Sequence, residues 1–344
     1  MVILIASAMV GTAKVMQPYI EDLASMNGVE RYRSLAEYLL LSSGNPSDWG
    51  KSGDVIPSTF GLASETRRPY ELDLDKVTRL NADNLYSLTY GEILAALGIE
   101  DTSFNIKIRP LFEVAIELTS SQMGETETIY TFRVSTDKSG YPLATGLKGY
   151  IVVGAHVDSV SSSTDSNGVG MINVTLSNVL GGTALLVVFA KSQAHSQMMS
   201  FNAYSFGHNS KVSEPNQTFL RLSPLNYVLN ASFRNSTVEI SNAYVLTCSY
   251  NSSLSQTIVG NQSVEYDIPR LLEASPMLLV LNGNNASASF AEWTAYPQLP
   301  LEIGADFSDL TSESKAVAVA YVVSVNSVLY EAVITSRSVQ NFDV

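Results

Sequence analysis

From residue 104 onward the chain reads as short runs rich in Val, Ile, Tyr and Thr, broken by Gly, Asn, Pro and Ser. Phe104–Ile108, Leu111–Leu118, Ile129–Val134, Tyr150–Val157, Gly170–Leu176, Ala184–Ala190 and Val228–Phe233 are of this kind, as are Glu239–Tyr250, Met277–Leu281, Ala316–Val325 and Val328–Ile334. The pattern predicts antiparallel sandwiches. Two segments, Ser135–Gly140 and Ser163–Gly168, share the order S-T-D-x-x-G after a β-run, which is turn chemistry. The front of the chain has a different period. Val2, Ile3, Leu4, Ile5, Met9 and Val10 stand among apolar or small residues up to Ala13; beyond it Val15, Met16, Ile20, Leu23, Met26, Val29, Tyr32, Leu35, Ala36 and Leu39 recur at largely helical spacing.

This spacing predicts a long N-terminal α-helix over 1–43, apolar through 1–17 and amphipathic over 18–43. It would bend at Pro18, which lacks a backbone donor, and stop at Ser42-Ser43-Gly44-Asn45-Pro46. The apolar stretch is shorter than the ~20 residues a bilayer span needs. With no basic region ahead of it, it does not read as a secretory signal. Residues 44–118 predict a small α/β segment with two short helices. Asp73–Leu80 has acids first and bases last, as the helix dipole favours, and Tyr90–Leu97 stops at Gly98. One sandwich is expected over 119–212 and a second over 213–344, joined by Gly207–Asn216. The expected fold class is mainly β, with the long helix, the α/β segment and two β-sandwiches in series.

Composition narrows the partners. The 344 residues include 33 acidic and 20 basic ones, a formal charge of −13, which repels nucleic acid, so no nucleic-acid partner is expected. Only 15% of residues are charged while 45% are hydrophobic, so solubility rests on Ser, Thr and Asn. Charge also thins along the chain, with 31 charged residues in 1–146 and 22 in the longer remainder. The single cysteine, Cys248, excludes an intramolecular disulfide and any multi-cysteine zinc site, and within Ala243–Tyr250 it reads as packing.

One stretch invites an enzymatic reading. Val152-Val-Gly-Ala-His-Val-Asp-Ser-Val160, followed by Asp165, resembles the metal-binding stretch of zinc aminopeptidases, which would give His156, Asp158 and Asp165 as ligands. That family's next motif is a pair of glutamates about 30 residues on, one of them the general base, and Ser192–Gln197 here holds no acid. Strand alternation puts His156 and Asp158 on the solvent side instead. His156, His195 and His208, the only three histidines, have no ligand-like spacing, and no nucleophile elbow or phosphate loop occurs. No catalytic residue, metal or cofactor is expected. Acceptor triplets N-x-S/T stand at Asn173, Asn216, Asn230, Asn235, Asn251, Asn261 and Asn285, all within 173–285, which predicts an N-glycosylated outer region.

Phe132 to Lys191, with Gly140-Tyr-Pro142, Asn167-Gly168 and Thr183–Ala190, resembles the immunoglobulin-like modules of prokaryotic surface proteins. The front carries a second likeness. The apolar start, Ala36–Gly50 with its Gly-Asn-Pro-Ser-Asp-Trp-Gly, Phe60-Gly-Leu-Ala63, Leu72–Val77 and Tyr90–Gly98 together resemble archaeal type IV pilin-like surface proteins over about residues 1–118. The resemblance implies a non-enzymatic structural subunit of an extracellular filament. Its N-terminal segment would wait in the membrane and then bundle with copies of itself, displaying glycosylated β domains outward. Its alternatives are a membrane-tethered adhesin or carbohydrate-binding surface protein that forms no polymer, and a secreted metallohydrolase. Removing the apolar segment from water, at about 25 cal/mol per Å², is the driving force that assembly would use.

Overall fold

The computed structural model describes residues 28–66, 68–209, 218–234, 237–260, 262–286, 288–307 and 316–338. Helix among them is confined to α1 (residues 28–41), α2 (Leu74–Thr78), α3 (Tyr90–Leu97) and a single 3-10 turn at Trp49–Lys51. Strands β1 (Glu71–Leu72) and β2 (Thr102–Pro110) come first. Next are β3 (Glu113–Met123), β4 (Glu127–Lys138), β5 (Tyr141–Pro142), β6 (Thr145–Val153), β7 (His156–Ser163), β8 (Val169–Ser177), β9 (Gly182–Ser192) and β10 (Met199–His208). Then follow β11 (Phe219–Leu225), β12 (Val228–Phe233), β13 (Val238–Leu246), β14 (Asn251–Ser253), β15 (Ser255–Val259), β16 (Ser263–Asp267), β17 (Met277–Asn285) and β18 (Ala288–Tyr296). Last come β19 (Leu301–Gly304), β20 (Val317–Val325) and β21 (Val328–Ser338).

These findings correct the expected fold class. The described protein is a set of β-sheets with three short helices, and no helix among the described residues is long and apolar enough to cross a membrane. The amphipathic pattern of 28–41 is spent locally: Ala36, Leu39 and Leu40 are fully buried against a sheet, while Tyr38 and Leu41 face solvent. The helix therefore docks on its own molecule through its last turns and is no free-standing rod. The rest of the expected rod, including Pro18, lies outside the described residues.

Four antiparallel sheets stack face to face. The first pairs β3, β4 and β5, with β8 on β4; the second runs β10-β9-β6-β7; the third runs β14-β13-β17-β18; the fourth runs β11-β12-β16-β15. One core lies between the first and second sheets, with Phe132, Val134, Ile172, Leu186 and Val188. Another lies between the third and fourth, with Leu229, Ala231, Val245, Leu279 and Leu281. A further core joins the two pairs back to back, Tyr150, Val152, Leu185, Val187 and Phe189 meeting Leu246, Leu278, Val280 and Ala291. So β9 and β17 are covered on both faces, which is why their sequences are continuous apolar runs and not alternating ones. Polar bonds seal one end of this seam: Asn282 Nδ2 donates to Gly154 O at 2.8 Å, and Thr183 N to Ser289 Oγ at 2.8 Å. Nearby, β13 bulges between Ile240 and Asn242, and a Cβ on Gly283 would stand 1.9 Å from Glu239 O, so only glycine fits.

The fifth sheet is mixed, in the order β1-β20-β21-β2-β19, with β1 parallel to β20. It draws strands from both ends of the described chain. Residues 301–338, which the sequence pattern assigns to the second sandwich, pair with β2 through β19 and β21. Phe104, Ile106, Ile108, Val325, Tyr330 and Ile334 present its buried face to α1, α2 and α3.

Candidate functional site

The most elaborated cluster of buried polar groups lies where α1 hands the chain to the stack. After α1, the backbone doubles back: Leu62 N donates to Leu39 O at 2.9 Å and Asn45 N to Thr59 O at 2.9 Å. Gly44, at φ +72°, allows this approach, since a Cβ there would come within 2.5 Å of Thr59 O. Trp49 is fully buried inside the resulting loop, its Nε1 donating to Gly61 O at 3.1 Å and its ring 5.7 Å from that of Phe60.

Two cations organise the loop from within. Asp73 caps α2, accepting from Asp75 N and Lys76 N at 3.0 Å each, and thereby aims Lys76 inward. Lys76 Nζ donates to Ser43 O and Ala63 O at 2.8 Å each and lies 5.9 Å from the centre of the Trp49 ring. Arg79 donates through Nε to Tyr86 O, through one terminal nitrogen to Trp49 O, Ser52 O and Val55 O, and through the other to Gly53 O, at 2.7 to 3.0 Å. Its guanidinium stacks 5.4 Å from the Trp49 ring. Burial pulls both cations below their ordinary ranges, and for Lys76 the nearby Asp73 carboxylate pulls the other way. Backbone carbonyls supply the negative ends of dipoles in place of a carboxylate partner.

The same short helix keys the cluster to the third and fourth sheets. The Asp75 carboxyl accepts from Asn226 N at 2.8 Å and from the Tyr296 hydroxyl. Burial pushes Asp75 up from the usual carboxylate range, opposed by those two bonds, and pushes Tyr296 well above the ordinary phenol value. Asn84 Nδ2 donates to Pro224 O at 3.1 Å and Gln298 Oε1 at 2.6 Å, and Leu85 N donates to Ser223 Oγ at 2.8 Å. Toward the first two sheets, β2 continues into β3, and Leu329 N donates to Gln197 O at 2.9 Å. The arrangement links the packing of α1 to every layer of the body.

The acids and bases of Asp73–Leu80 are thus not surface partners of a helix dipole. The helix is only five residues long, and Lys76 and Arg79 are 0% and 1% exposed. Local charge order cannot distinguish a solvated turn from a buried one. The signal that was present is Lys76 and Arg79 at i, i+3 on one face; the Trp49-Gly50 pair that the fold brings against them lies 30 residues before Arg79.

The candidate metal residues are not assembled. Asp158 is exposed and Asp165 makes a turn, accepting from Asn167 N at 2.9 Å and Val169 N at 3.0 Å, bonds that hold its carboxyl below the usual range. His156 opens β7 and Asp165 lies beyond its other end, the strand between them alone spanning about 23 Å at the rise of a strand. His208 is a satisfied core residue: Tyr130 Oη lies 3.0 Å from Nδ1, and Val179 O and Asn209 Nδ2 lie 3.2 and 3.3 Å from Nε2. His195 sits at the opposite end of β10, in the turn after β9. Among the described residues no group of three His, Cys, Asp or Glu side chains could hold a metal ion. Cys248 packs half-buried between two cores, and burial pushes its thiol up.

Of the acceptor asparagines, Asn173 and Asn251 are exposed and Asn285 is half-buried, receiving the Thr237 hydroxyl at 2.7 Å. Asn230 is placed differently from Asn173 and Asn251. It is 8% exposed, and its Nδ2, the atom a glycan would join, donates to Glu265 Oε1 at 3.2 Å. Asn216, Asn235 and Asn261 lie outside the described residues, as do the assembly residues Val2, Ile3, Leu4, Ile5, Met9, Val10, Val15, Met16, Ile20 and Leu23.

No family model matches the chain, and no curated protein matches it. Among solved structures it is similar to HBP35 of Porphyromonas gingivalis, at 12% identity over 53% of this chain and 63% of that one, with a TM-score of 0.21. The chain therefore spans less than two thirds of that protein, and a superposition so loose carries no argument.

Proposed function

We propose that this protein is a non-enzymatic structural subunit of an extracellular, type IV pilus-like filament, resident in the membrane before assembly and held to copies of itself through residues 1–17. The observation that supports this most is the anchoring of α1. The helix that continues from the apolar segment in sequence is buried through its last turns on a sheet drawn from both ends of the described chain. Bonds from α2, from the loop after it and from β21 tie that packed unit to both sandwiches, so tension on the front of the chain spreads into the whole stack. The proposal includes N-linked glycans, and among the described acceptors the exposure of Asn173 and Asn251 supports that part of it.

Sedimentation velocity of the full chain and of a variant lacking residues 1–17, both transferred out of mild detergent, tests the proposal. The full chain is expected to sediment as large polymer and the shortened chain as a single small species. A shortened chain that still polymerised would overturn it, and a full chain that entered lipid vesicles without polymerising would favour the tethered adhesin.

A further inference from the structure

We propose that the groove between β11 and β18 binds a small zwitterion of the amino-acid type. Both strands are edges of their sheets among the described residues, and between them lies a cavity of about 420 Å³. Its lining is polar where a sandwich interior is ordinarily apolar, with Glu292, Thr294 and Gln298 all more than nine-tenths buried. Gln298 is fully used: Nε2 donates to Leu222 O and Thr294 Oγ1 at 3.0 Å each, and Oε1 accepts from Asn84.

Glu292 is not. One carboxylate oxygen accepts from Thr218 N at 2.8 Å, the other receives no donor among the described residues, and no salt bridge among them includes it. The oxygen without a donor is not sealed from solvent and is open to a partner in the groove, where an ammonium group can supply three donors to it and its neighbours. At the rim, exposed Arg234 spends Nε on Phe219 O at 2.9 Å, and its two terminal nitrogens have no partner among the described residues. Glu292 and Arg234 are thus pinned to adjacent residues, the N–H of Thr218 and the carbonyl of Phe219, without pairing with each other. Asp83 and Arg221 complete a lining that is charge-balanced overall. A largely buried anion and a cation whose terminal nitrogens have no partner among the described residues, held by adjacent residues, match a ligand that carries an ammonium and a carboxylate on one carbon. This inference stands apart from the filament proposal.

Isothermal titration of the full chain with a panel of free L-amino acids, with ethylamine, acetate and glycine betaine as controls, tests it. At least one amino acid is expected to bind saturably, with glycine betaine, which has both charges but no N–H, about tenfold weaker or worse. Glu292→Gln keeps an oxygen for Thr218 and is expected to weaken the amino acid about tenfold or more. Arg234→Gln, on the surface, should weaken it similarly while leaving ethylamine unchanged. Unfolding curves of each variant separate lost binding from lost fold, and the Arg234 variant carries the test alone if the Glu292 variant unfolds. No saturable binding by any amino acid, equal binding of the betaine, or binding indifferent to Arg234→Gln would overturn the proposal.

Discussion

Arg79→Leu is expected to destabilise the protein by about 4 kcal/mol, because it strips charged hydrogen bonds from five carbonyls, one buried and four part-buried, at once. Leucine fills much of the volume but donates nothing, so the carbonyls of Trp49, Ser52, Gly53, Val55 and Tyr86 must open to water or stay unpaired. With an unfolding entropy of about 2 cal/mol/K per residue, the loss corresponds to a fall of about 6 °C in the midpoint of cooperative unfolding. Arg79→Lys should recover little, since a single ammonium cannot reach carbonyls spread around a planar fork. Trp49, stacked on the guanidinium, reports the change directly through near-ultraviolet circular dichroism. An unchanged midpoint and an unchanged tryptophan signal would show that the loop holds itself.

Val187→Asp is the second large effect. Val187 is fully buried in β9, opposite Tyr150, and faces the seam between the two sandwiches, whereas its neighbour Val188 faces the first sandwich's own core. An unpaired carboxylate placed there has no cation to meet, and about 4 kcal/mol or more of destabilisation is expected. Val187→Ala, which only removes two carbon atoms, should cost about 2 kcal/mol. The seam is the affected layer, so small-angle X-ray scattering of the aspartate variant should show a longer particle with strand content retained. A particle of unaltered dimensions and stability would mean the sandwiches do not depend on each other.

Local pattern made many single elements legible. The run Ala184–Ala190 falls within β9 and Val328–Ile334 within β21. Tyr90–Leu97 ends at Gly98 in the left-handed region, with Thr89 and Glu92 forming the capping box. Both S-T-D-x-x-G segments are turns: Asp137 accepts from Gly140 N at 2.8 Å, Asp165 serves its own loop, and Gly140 and Gly168 have positive φ. What stayed hidden was non-local. The pairing of β2 with β19 and β21 joins segments far apart in the chain, and nothing in Thr102–Pro110 names its partners. The helical periodicity of 28–41 was real but said nothing about whether its apolar face would meet other subunits or its own sheet. For Glu292, alternation along β18 showed only an acid between Ala291 and Trp293; that it faces a groove required the neighbouring edge strand to be in place.

Electron microscopy of the full chain, purified in mild detergent and then transferred into buffer without it, bears most directly on the proposal that this is a filament subunit. Regular fibres with a thin axis and β bodies projecting outward are expected. Discrete single particles under the same conditions, from protein shown by mass spectrometry to retain residues 1–17, would contradict it.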